Sequence, residues 1–133
     1  MKDIGEIREI VKSLGREVGA SQDLTKVLDG PGGNGEAFVK VSEEFYEYII
    51  EERGYIFETR ATKNVEDVLY WIMNDVIFKV ASEYEIKNRV AGRDFRRLLF
   101  DKEIELFKRI NLKWAERRKE EIGRTLASSP YND

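Results

Sequence analysis

A chain of 133 residues has room for one domain, and with 41% hydrophobic and 11% aromatic residues it can build a core beneath a surface rich in charge, 37% of the residues being ionic. Histidine and cysteine are both absent, which excludes disulfides, Cys/His zinc sites, thiol nucleophiles and imidazole proton transfer. The net charge of −3 is uneven: residues 1–85 hold 18 acids and 10 bases, residues 86–133 hold 8 and 13.

At the start, Ile4, Ile7, Ile10, Val11 and Leu14 recur at helical spacing and predict an amphipathic helix ending near Gly15. Asp3, Glu6 and Glu9 interrupt any apolar export stretch, so no export signal is expected. A short helical turn is expected at Leu24, Val27 and Leu28, followed by a loop over residues 29–35, DGPGGNG. Gly30, Gly32 and Gly35 spell G-x-G-x-x-G, but a helical segment precedes them and a strand-like one follows, the reverse of the dinucleotide motif. Glu36 and Ala37 also stand where a P-loop needs lysine and a hydroxyl. No nucleotide, metal or other cofactor is expected.

Aromatic and β-branched residues then predict a small antiparallel sheet of three strands over about 37–61: 37–41, 45–52 and 55–61, with Arg53-Gly54 turning the second hairpin. A helix over 42–53 is the competing reading. In the middle strand Tyr46, Tyr48 and Ile50 share one face, and Glu47, Ile49 and Glu51 the other. Three helices follow over about 65–89, 95–110 and 112–127, capped by Asn64, Asp94 and Asn111. The fold class is therefore α+β, a single domain over residues 1–133. The apolar run at 68–81 is broken by Asn74, Asp75 and Lys79 and is shorter than the roughly 20 residues that span a bilayer, so no membrane partner is expected. An acid inside that run needs a partner, and Arg96 or Arg97 is expected to pair structurally with Asp75.

Acidic excess peaks at residues 41–67, with eight acids against three bases, a pattern that steers a basic partner. Neighbouring acids on a strand point to opposite faces, so these pairs make no convergent acid/base site. The basic C-terminal helices, with Arg117, Arg118 and Lys119, leave a nucleic-acid-binding module open as a rival function, although Glu116, Glu120 and Glu121 interleave with them. A small carboxylate-dependent enzyme is a second rival.

The strings VLYWI at 68–72, ASEYE at 81–85, Arg89, DFRRLLF at 94–100 and WAERR at 114–118, with ERG at 52–54, resemble the immunity protein 63 family of bacterial polymorphic toxin systems. The resemblance covers roughly residues 37–133. It implies a cytoplasmic protein that binds and blocks a cognate toxin domain, and it brings no family-assigned active site; the chain is expected to be non-enzymatic, with no nucleic acid, membrane or cofactor as a partner. Joined to the charge pattern, it leads to the expectation that Glu43, Glu44, Glu47, Ile49, Glu51, Tyr55 and Glu58 face the toxin.

Overall fold

In the computed structural model, which describes residues 1–133, each of the four α-helices starts at a side-chain cap. Asp3 accepts from the Glu6 amide (2.8 Å) while its own amide donates to the Glu6 carboxylate (3.2 Å), opening α1 (Ile4–Glu17). Asn64, Asp94 and Asn111 accept in the same way from the first turns of α2 (Val65–Lys87), α3 (Phe95–Ile110) and α4 (Leu112–Ser128). Extended backbone at Asn111 ends α3 and caps α4 at once, so the two helices join with a single residue between them.

Between α1 and α2 lie β1 (Ala37–Val41), β2 (Tyr46–Glu52) and β3 (Tyr55–Thr62), paired antiparallel in that order. The chain thus has the expected α+β order of helix, three-stranded sheet and three helices. Arg53 and Gly54 both take positive φ (52° and 80°), the pattern of a two-residue turn whose twist matches the strands it joins. A bulge between Ile50 and Glu51 shifts the β2–β3 register near that turn.

Helix α2 is buried on most of its circumference, as a helix apolar all round must be. Trp71 meets Tyr48 of the sheet (ring centroids 5.9 Å apart), and Tyr70 on another side stacks on Phe107 of α3 (5.4 Å) and meets Trp114 of α4 edge-on (6.1 Å). Ile7 and Val11 of α1 complete the same core. Phe78 and Tyr84 of α2 stand partly exposed outside this core, and Phe95 of α3 is half exposed.

Three local expectations differ from what forms. Helix α1 continues two residues past Gly15, which is buried because the 3₁₀ turn Gln22–Thr25 packs on it: a Cβ there would lie 2.3 Å from the Thr25 methyl. Val27 and Leu28 are not helical. Leu28 instead bridges Phe38 in parallel, and its carbonyl accepts from the Val39 amide (2.9 Å), so this segment covers the outer edge of β1. Helix α2 stops at Lys87, two residues short of Arg89, with Asn88 closing the last turn.

Candidate functional site

The register assigns each acid of the sheet to a face. Val39, Tyr48 and Arg60 lie in one row against α2, and Arg60 packs over both Tyr48 and Trp71 (5.5 Å to each ring). Burial pushes the Tyr48 hydroxyl up to about 12, with the Asp75 carboxylate adding to the shift. The row on the opposite face is Phe38, Ile49 and Thr59, followed by Lys40, Glu47 and Ala61. Glu47 and Glu51 are half-buried on this outer side, while Glu43 and Glu44 stand exposed in the β1–β2 turn, where the Ser42 hydroxyl holds the Phe45 backbone. Tyr55 sits at the other end of the sheet, about 20 Å away at the rise of an extended strand. Seven residues spread over that length suit a protein surface and form no small-molecule pocket.

Two of the seven differ from expectation. Ile49 is 6% exposed, since Phe38 lies directly opposite it, so it is a packed residue and no surface anchor. Glu58 pairs with Arg60 on the α2 side of the sheet and does not share the face of Glu47. The apolar anchor is found elsewhere. Tyr55, Ile56 and Phe57 are 67%, 55% and 61% exposed, with the Tyr55 and Phe57 rings in edge contact at 5.0 Å. The signal was present in the string YIF, because three consecutive apolar residues on a strand cannot all point to one buried face.

The expected Asp75 pair does not form. Asp75 is exposed on α2 and meets Lys79 one turn on (2.9 Å), at the mouth of a cavity of about 170 Å³ between residues 23–28, the sheet and α2. The DFRR string does something different: it holds residues 129–133 on the start of α3. Arg96 pairs with Asp94 (2.8 Å) and donates to the Ser129 and Pro130 carbonyls (2.9 Å each). Asp94 in turn accepts from the Asn132 amide (2.9 Å), and its own amide donates to Asp133 (3.1 Å). Arg97 pairs with Asp133 (2.9 Å) and lies 4.0 Å from the Tyr131 ring centre. Hydrogen bonds from Arg96 hold the Asp94 carboxyl well below the usual range, and the hydrogen bond from the Asp94 amide lowers that of Asp133.

A second network, unseen in the sequence, ties α2, α3 and α4 together. Glu103 is fully buried and accepts from Arg118 (3.0 Å), which also pairs with Glu121 (3.4 Å), and Glu121 accepts from the Tyr70 hydroxyl (2.6 Å). Burial raises the Glu103 carboxyl above its ordinary value, outweighing the attraction of Arg118. Arg117 completes the set by pairing with Asp67 (2.8 Å) across the Tyr70 ring. Arg96, Arg97, Arg117 and Arg118, four of the arginines of the basic C-terminal half, are thus joined to acids of the same molecule. No group of three or more His, Cys, Asp or Glu side chains is placed to hold a metal.

A family model described as Immunity protein 63 matches residues 42–124, more than half of the chain, and the chain belongs to that family. The match takes in β2 and β3, α2, α3 and most of α4. No curated protein and no solved structure matches it.

Proposed function

We propose that this member of the immunity protein 63 family neutralises a toxin by binding it one to one, with the acidic sheet as the contact surface and no catalytic step of its own. The observation that carries the reading is the exposed Tyr55-Ile56-Phe57 beside Glu51 and Glu52, a large apolar patch next to acids that have no internal partner. Interface energy concentrates in such aromatic anchors, and the surrounding charge sets the rate and choice of encounter. A toxin that grips phosphodiester backbones carries a basic surface, so an acidic inhibitor covers the toxin's own substrate site. The rival basic surface is reduced, because Arg96, Arg97, Arg117 and Arg118 are held by Asp94, Asp133, Asp67 and Glu103, which leaves Lys113 and Arg124 as its unpaired cations on α4.

The test is co-expression with the toxin domain encoded beside this chain, together with association rates on the purified pair. Glu47→Lys with Glu51→Lys is expected to slow association by one to three orders of magnitude at low salt and by less at high salt, since steering is screened. If that variant protects and associates like the wild type while Lys113→Glu with Arg124→Glu abolishes both, the contact surface is on the helices and the reading fails.

A further inference from the structure

The two edges of the sheet are built differently. Leu28 lies along β1 and takes up its Val39 amide, so that edge is covered at its centre. No element lies beside β3, and its backbone bonds run only to β2. Exposed edges are usually blunted by lysine, proline or a covering loop. Strand β3, YIFETRAT, has no lysine and no proline, and its one acid and one base, Glu58 and Arg60, neutralise each other. It also begins with the most exposed run of large apolar side chains in the molecule. An open row of amides and carbonyls beside Tyr55, Ile56 and Phe57 is a template for another strand. Only the bulge opposite Glu51 guards it, and that guards one end.

We infer that the partner engages β3 by strand addition: an extended segment of the toxin, with basic and apolar side chains alternating, lies along the open edge as a fourth strand. The inference rests on the proposed immunity function and adds its mode of contact. Backbone pairing along β3 supplies affinity, and alternate side chains of the added strand reach opposite faces of the sheet. The segment is basic because Glu51 and Glu52 of β2, opposite Ile56 and Tyr55, have no ion-pair partner, and Glu47 lies further along the same strand. A second copy of this chain is the less fitting occupant, since it would bring two such acidic sheets edge to edge.

Hydrogen exchange on the full chain, alone and saturated with the purified toxin domain from the protection assay, tests this. Beyond the bulge, consecutive β3 amides point to opposite edges, so in the free chain every second amide between Glu58 and Thr62 is expected to exchange fast, and in the complex to slow at least a hundredfold. Proline supplies the second arm. One of Glu58→Pro and Thr59→Pro removes an outward amide and the other an inward one. The variant that keeps the wild-type melting temperature is the outward one, and it is expected to bind the toxin domain at least tenfold more weakly. A complex in which those amides exchange as in the free chain, or which the stable proline variant forms at full strength, overturns strand addition while stoichiometric binding stands. Failure to form any complex overturns both. Protection of the same amides in the free chain, rising with its concentration, assigns the edge to a second copy and overturns the inference.

Discussion

The sheet and the helices use charge in opposite ways. In the sheet Glu43, Glu44, Glu47, Glu51 and Glu52 have no ion-pair partner, and large apolar side chains stand in water beside them. In the helices Arg96, Arg97, Arg117 and Arg118 each close on an acid, and the apolar side chains of α2 are mostly inside. Counting charges along the chain makes both halves look like polar surfaces with a bias. The structure separates them by whether the charge is already matched: matched charge holds the molecule together, unmatched charge is available to something outside it.

That comparison breaks most directly at Arg118. Arg118→Ala leaves the fully buried Glu103 without its partner, and loss of one member of a buried pair costs about 3–5 kcal/mol. Denaturant unfolding is expected to show a loss of that size, with toxin association at temperatures where the variant stays folded unchanged. A loss under about 1 kcal/mol would place the pair among ordinary surface contacts.

A smaller effect is expected at the clasp of residues 129–133, where it depends on pH. Asp133 has its carboxyl lowered in the folded state, so its contribution is present above the ordinary aspartate value of about 3.9 and is lost as the pH falls through the lowered one. Asp133→Asn is therefore expected to melt below the wild type at neutral pH, and the gap between the two curves to close on acidification. A gap that widens as the pH falls would reverse the sign and remove Arg97 and the Asp94 amide as its cause.

The smallest change sharpens the comparison from the other side. Asp75→Asn removes a half-exposed pair with Lys79, worth at most about 1 kcal/mol, and calorimetric melting is expected to move by no more than a few degrees.

The fold was largely legible because its signals are local. The asparagine and aspartate caps, the Arg53-Gly54 turn and the aromatic strands act within a few residues of where they stand, and β1, α3 and the strand and helix limits around them form where those residues place them. The candidate site was legible only in outline. The apolar neighbours of Asp75 point to a buried partner, yet the helix turns it outward at the cavity mouth. Alternation puts Ile49 on the face of Glu47 and Glu51, and only the strand register brings Phe38 across from it. Glu103 and Arg118 are fifteen residues apart on different helices, and no spacing rule joins them. Alternation, helical period and capping give the side on which a residue lies within its own element. What lies on the other side is a property of the packed whole.

The turn at Arg53-Gly54 also bears on how tightly the hairpin can hold a partner. With both residues in the left-handed region, the shortest connection between two strands is set when the chain folds, and the arginine bears the steric cost of that conformation. Ordering a backbone residue costs about 1–2 kcal/mol in conformational entropy, and a floppy loop that presented the same aromatic side chains would lose that freedom only on docking. Here Tyr55, Ile56 and Phe57 follow directly from the turn on a strand already paired with β2, so the loss falls on folding and the docked state keeps more of its contact energy. Under the proposed strand addition the hairpin would dock as a preorganised ligand, with the benefit in a slow dissociation rate.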